Sequence, residues 1–296
     1  MDPAQFSTDI LPKLNQCRGY LEKVSSGLGD TNPIVLIESQ GLFEDILYGL
    51  QRILRKLPRN KGIDLILESH GGSIDAAATI ASLCRERFGK LRVITPFMAK
   101  SAATLVALSA DERLLTCFTQ FGPVDPQVRD PKNPEMWFPA HSIKEAIDQV
   151  EGTKDKVVKM AMADKLEPFL IGAFRDAMSA SKQYIEEVIE KWDVPNKEAI
   201  VKAFTDKYKS HGYPIDPKVL KSLNVPFSQI DPKIEDDLFD LHELCVDIVN
   251  KDVNEGVIIM TKSEYLFVAG EFRNRGNFEI VGSKSSNHTT TQCPIS

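Results

Sequence analysis

The sequence lacks a Cys-x-x-Cys pair, a Gly-x-Gly-x-x-Gly run, an excess of basic charge and an apolar stretch long enough to cross a bilayer. Each absence removes a class of function. The five cysteines, at 17, 84, 117, 245 and 293, are odd in number and widely spaced. That spacing excludes a disulfide framework and a cysteine-ligated metal, and it points to reduced thiols. Without the glycine fingerprint no dinucleotide is expected, and nothing else in the chain implies a cofactor or a metal. A formal net charge of −6 offers no basic face for phosphates, so nucleic acid is not an expected partner. The longest mild apolar run, at 92–110, is broken by Lys100, whereas a span needs about 20 apolar residues. The opening MDPAQFSTDILPKL carries an early acid and no basic-then-apolar pattern. The expectation is a cytoplasmic protein with no membrane span.

What is present is a βαβ rhythm. In a chain of 296 residues that is 42% hydrophobic and 26% charged, a full core can be buried. An N-terminal amphipathic helix is predicted over 6–24. Strands are predicted at 33–39, 64–68 and 92–97, alternating with helices at 43–56, 74–88 and 101–110. This alternation argues for a mostly parallel sheet. Short strands follow at 113–117 and 121–124, and the pattern then turns helical from 141 to 222. Pro168 should break or kink the longest helical stretch. Beyond Pro226 come a helix at 235–250 and short strands at 256–261, 264–269 and 277–282.

Two segments carry chemistry. DLILESHGG at 64–72 is an apolar strand running into a Gly-Gly turn, and MAKSAATLVALSAD at 98–111 is a small-residue turn running into a helix. Gly71 and Gly72 can adopt conformations closed to other residues, so their N–H groups can face a ligand. Ser73 is placed to cap the helix over 74–88, whose positive end would lie beside the same ligand. Ser101, on a strand-to-helix turn among Ala99, Ala102 and Ala103, has the exposure a nucleophile needs. A serine attacks a carbonyl only when a base takes its proton and donors stabilise the oxyanion. The bland alternative is a glycine turn and a serine that merely cap two helices.

HGGSIDAA, then MAKSAATLVALSADERLL, then FGPVDPQ, together with SHGYPIDPKVLKSLNVP at 210–226, resemble the serine dehydrogenase proteinase family. These are relatives of signal peptide peptidase and the Clp protease subunit. The resemblance implies an α/β fold, a Clp/crotonase-like spiral of ββα units with added helices and a small C-terminal extension. Taken with the residue patterning, it gives an expected organisation of an N-terminal helix (1–30), a protease domain (31–226), an α+β extension (227–283) and, from its polar composition, a disordered tail (284–296). It also implies a peptide or protein substrate and a homo-oligomer. The nucleophile carries over onto Ser101, and the oxyanion amides onto Gly71 and Gly72 with help from Ala102.

The base is the open question. Where the Clp-type triad puts its histidine, this chain has Val124, Asp125 and Pro126. Signal peptide peptidases use a lysine, and Lys144, Lys154, Lys156 and Lys165 fall in the matching region; such a lysine must be buried or set beside another cation. Lys100 adjoins the nucleophile but should point elsewhere. Of the histidines, His70 abuts the Gly-Gly turn and could touch substrate, His141 opens a helix, and His211 matches a family feature. His242 and His288 are expected to be solvated. Asp125 could orient a base or simply make a turn before Pro126. Met136, Trp137 and Phe138, set among prolines, could clamp substrate or join an interface.

The expected activity is therefore a serine peptidase acting through an acyl-enzyme on Ser101, with candidate bases Lys144, Lys156 and His211. Two alternatives stand beside it. One is a catalytically inactive scaffold on the same fold; the other is a crotonase-like enzyme that binds acyl thioesters through paired amides.

Overall fold

β1 (Asn32–Glu38) and β2 (Ile63–Glu68) read NPIVLIE and IDLILE, and every residue of both is buried. Continuous burial of this kind means that both faces of the sheet are covered, as in a parallel sheet flanked by helices. The computed structural model describes residues 10–39, 41–129, 133, 137–208, 210–252, 256–269 and 279–280. It shows an eight-stranded sheet. Its parallel part runs β1, β2, β3 (Leu91–Thr95), β5 (Glu112–Leu115) and β9 (Ser228–Gln229). β4 (Met98–Ala99) and β6 (Gln120–Phe121) lie outside it, in a second small sheet. On its other edge, β1 pairs antiparallel with β10 (Gly256–Met260), followed by β11 (Tyr265–Ala269) and β12 (Glu279–Ile280).

Alternate residues of each strand face opposite layers. Ile34, Leu36, Leu65, Leu67 and Val93 belong to the larger core, with α2 (Glu44–Leu54), α3 (Ile74–Phe88) and α4 (Ala102–Leu108). Val35, Ile37, Ile66 and Ile94 face the other way, onto Leu14 and Leu21 of α1 (Leu11–Leu28) and Leu238 and Leu241 of the last long helix. Arg92 and the fully buried Asp64 cross-link β2 and β3. Nε and Nη2 of Arg92 donate to the two carboxylate oxygens at 2.8 and 2.7 Å, and Nη2 also reaches the Leu28 carbonyl at 2.9 Å.

Most predicted elements form within a few residues of their expected bounds. α3 matches 74–88, and Ser73 Oγ accepts from the Ala76 amide as its cap. β3 stops at Thr95, before Pro96, which has no N–H for the ladder. α1 runs to Leu28, past the expected 24; residues 6–9 lie outside the described residues. The 141–222 region holds β7 (Gln127–Arg129) paired with β8 (Trp137–Pro139) just before it. Then follow α5 (Ala140–Gly152), α6 (Lys156–Ala163), α7 (Pro168–Glu190), α8 (Lys197–Thr205) and α9 (Pro217–Ser222). The long helical stretch breaks before Pro168 as expected: α6 ends at Ala163, and Pro168 opens α7, whose first turn needs no donor there. α10 (Pro232–Asp247) starts at its Asp231 cap. The tail at 284–296 and Met136 lie outside the described residues, as do the side chains of Trp137 and Phe138.

Candidate active site

Each parallel strand ends by handing the chain to a short crossing segment, and these segments hydrogen-bond to one another. Leu42 bridges Gly72, Ser69 bridges Ala99, and β4 pairs in parallel with β6. Phe121 then bridges Ile215, each amide donating to the other's carbonyl at 3.0 Å. The result is a ledge across the carboxyl ends of the strands, where open α/β sheets bind ligands.

Ser101 leaves this ledge at the head of α4. Its backbone sits at φ 49° and ψ −121°, outside the conformations a serine prefers. Such strain is retained at functional sites when surrounding structure enforces it. Here the enforcement is visible. Thr104 Oγ1 donates to the Ala99 carbonyl at 2.6 Å, with the Gly122 carbonyl at 3.0 Å as the alternative acceptor, and accepts from the Gly122 amide at 3.0 Å. A Ser101→Gly variant is therefore expected to be more stable by roughly 1 kcal/mol, read as a raised Tm. Ser101→Ala gives no such gain, because alanine keeps the Cβ.

The Gly-Gly turn presses directly on Ser101. Gly71 and Gly72 have φ of 115° and 137°. A Cβ on Gly71 would stand 2.6 Å from the Ser101 Cβ and 3.3 Å from the Ala102 nitrogen. The two amides of the turn differ in what they meet. The Gly71 N–H donates to Ser69 Oγ at 2.9 Å, so it is already engaged. The Gly71 carbonyl accepts from the Leu42 amide at 2.5 Å. In a planar trans peptide the following N–H, that of Gly72, points the opposite way, away from Leu42. Among the described residues neither the Gly72 nor the Ala102 amide has a hydrogen-bond acceptor. Gly72 and Ala102 are the available donors, and His70 is exposed beside them.

The ledge also brings together Asp125 and His211. Asp125 follows Val124, whose amide donates to the Phe204 carbonyl at 2.6 Å. His211 is held in a loop clamped by the Ile215 bridge and by Tyr208 stacked on Tyr213 at 3.9 Å. His211 Nδ1 stands 3.9 Å from Asp125 Oδ2. His211 Nδ1 and Asp125 Oδ1 are buried and have no hydrogen-bond partner among the described residues. A distance of 3.9 Å exceeds a hydrogen bond, but catalytic hydrogen bonds are often long before substrate binds.

The lysines are distributed differently. Lys144 and Lys156, like Lys154 and Lys165, are exposed, without the burial a lysine base needs. Lys144 lines an open groove with Asp148 and Arg175, and none of Ser101, Gly72, Asp125 or His211 borders that groove. Lys100 is half-buried, and desolvation lowers its pKa. Its ammonium donates to the Phe121 carbonyl at 3.1 Å and to Gln120 Oε1 at 3.3 Å. His141 lies in α5 and its side chain is outside the described residues, as is all of His288. His242, expected to be solvated, is instead largely buried and hydrogen-bonded to Glu68. Its position offered a signal: it shares the apolar stripe of α10 with Leu238 and Cys245. No group of His, Cys, Asp and Glu that could hold a metal is found among the described residues. No described helix is long and apolar enough to cross a membrane.

A parallel sheet whose crossing segments pair with one another beyond its strand ends belongs to the Clp-like class of α/β folds. The chain belongs to the ClpP-like SDH-type serine proteinases, whose family pattern it matches over residues 43–261. It is 29% identical over 194 residues to MJ0137 of Methanocaldococcus jannaschii, covering 65% of this chain and 62% of that protein. It is 28% identical over 193 residues to MJ1495 of the same organism, covering 64% of this chain and 60% of that one. Both relatives are described as uncharacterized, and the chain matches about three-fifths of their length, 62% and 60%. Among solved structures, ClpP1 from Listeria monocytogenes superposes with a TM-score of 0.40 at 15% identity, over 70% of this chain and 95% of that one. A mutant of the 1510-N membrane-bound stomatin-specific protease gives 0.44 at 14% identity, over 78% and 87%.

Proposed function

We propose that this protein is a serine peptidase in which Ser101 is the nucleophile and His211, oriented by Asp125, is the general base. The observation that carries the proposal is the Asp125–His211 approach at 3.9 Å, with a buried atom of each otherwise unpartnered. With its Nδ1 proton toward the carboxylate, His211 presents Nε2 as the acceptor for the serine proton. Ser101 Oγ then bonds to the scissile carbonyl carbon, and the Gly72 and Ala102 amides receive the oxyanion. Collapse breaks the C–N bond, with the proton passing from His211 to the leaving amine. Water repeats the sequence to release the acid and free Ser101. The chain order is Ser, Asp, His, which explains why no histidine follows the serine at the Clp spacing.

Self-association belongs to the same proposal. Val157, Met160 and Phe169, on α6 and the start of α7, are 78%, 74% and 84% exposed, which supports burial against further copies of the chain.

Lys100 is the competing base, favoured by a pKa that burial lowers. It is disfavoured by its ammonium being engaged with Phe121 and Gln120. Intact-protein mass spectrometry after fluorophosphonate treatment separates these cases. One adduct on Ser101 is expected, absent in Ser101→Ala, strongly slowed in His211→Ala and kept within a few fold in Lys100→Met. Labelling lost in Lys100→Met but kept in His211→Ala would transfer the role to Lys100. No adduct on folded protein would favour the inactive scaffold.

A further inference from the structure

Three segments of the ledge rest on one face of α10. Glu68, the last residue of β2, adjoins Ser69 and the Gly-Gly turn, and its Oε2 hydrogen-bonds His242 Nε2. Phe97, just before β4 and the Ser101 turn, places its ring centroid 6.3 Å from that of His242, tilted by 47°. Phe118, which leads into β6 and on to Asp125, packs edge-on against Phe239 at 5.6 Å, one helical turn before His242. Glu68 and His242 are both largely shielded, with side chains 8% and 15% exposed.

Resting on the peptidase proposal for Ser101, we infer that His242 is a positioning residue for the reaction: through Glu68 and Phe97 it sets the spacing between the oxyanion turn and the nucleophile turn. A carboxylate taken from water holds one orientation only while it is paired. If His242 is removed, Glu68 must turn outward or draw water in. Either movement passes to Ser69, whose hydroxyl holds the Gly71 amide at 2.9 Å and whose backbone bonds Met98 and Lys100 at 3.2 and 2.9 Å. The two turns are thus coupled to one imidazole that touches no substrate. A displacement of about 1 Å between reacting groups is enough to cost roughly 100-fold in rate.

The test compares wild type, His242→Leu, His242→Gln and Leu241→Ala in the full-length protein. Leu241 is fully buried on the same helix and belongs to its core, so its truncation reports general loosening. His242→Gln keeps an N–H donor for Glu68. Hydrogen exchange read by mass spectrometry is followed over 69–72 and 98–101, together with the rate of fluorophosphonate labelling and the kcat and KM of an ester reporter. His242→Leu is expected to raise exchange in those two segments alone and to slow labelling 10- to 100-fold, with kcat falling and KM little changed. His242→Gln recovers most of both. Unchanged exchange in the two segments, or the same pattern and the same kcat loss in Leu241→Ala, would overturn the inference. If wild type refuses the probe while the exchange pattern appears as described, the peptidase proposal falls and the positioning of the turns by His242 stands.

Discussion

Asp125→Asn is expected to lower kcat on an ester or peptide reporter by about 10,000-fold while leaving KM nearly unchanged. The carboxylate is buried, with a side chain only 4% exposed, and so makes no use of bulk solvent. An asparagine of the same shape can offer its N–H to His211 Nδ1. That stabilises the tautomer with the proton on Nε2, which cannot accept from Ser101. Geometry survives and the chemistry does not. His211→Ala is expected to cost about as much, and the double variant little more, because residues acting as a unit are not additive. Steady-state kinetics on the three variants, with circular dichroism as a folding control, decides the matter. Losses that multiply in the double variant would mean that the two residues act separately and are not one base.

Gly72→Ala is expected to destabilise the fold by about 3 kcal/mol or more, from backbone strain and overpacking together. A Cβ there would stand 2.4 Å from the Leu42 oxygen and 2.5 Å from the Leu42 nitrogen, both main-chain atoms already hydrogen-bonded across the bridge. Neither can rotate aside. Urea unfolding would show the loss as a lower midpoint at constant slope. Gly71→Ala shares that cost, at a φ of 115° and with the Lys100 carbonyl oxygen 2.9 Å from its new methyl, and adds a clash with the Ser101 Cβ at 2.6 Å. It should therefore reduce fluorophosphonate labelling of the folded protein more than Gly72→Ala does. Equal and mild effects of the two substitutions would show that the turn relaxes freely and does not brace the nucleophile.

The local signals in this chain were sound where local physics decides the outcome. Ser73 caps α3 because a serine before an apolar-periodic run satisfies the free amides of the first turn. β1 and β2 are strands because short β-branched and leucine runs suit burial on both faces. What stayed hidden depends on contacts between distant segments. Asp125 and His211 are each legible as candidates, one to orient a base and one to be a base, but nothing local pairs them; the Phe121–Ile215 bridge brings them together. The Gly71 amide looked available until the Ser69 hydroxyl beside it was seen to hold it. His242 was misjudged because a histidine on a helix is usually solvated, although its neighbours on the stripe are apolar. The strands after Gly256 were legible as strands, but nothing local says that they pair with β1.

That last pairing has a consequence for how the chain comes to be made. On one side Val35 meets Ile66, which is synthesised soon after it; on the other it meets Met260, which is synthesised much later. During translation the nascent chain therefore carries Val35, Leu36 and Ile37 as a bare apolar edge, a template for pairing with any other extended chain. Contacts this distant also slow folding. His211 reaches Asp125 only after the intervening helices are made, so ribosome-bound chains carry Ser101 well before the base proposed for it. Under the proposal for His211, chains halted before that residue should be inert, and the open edge of β1 is the stretch they most need shielded.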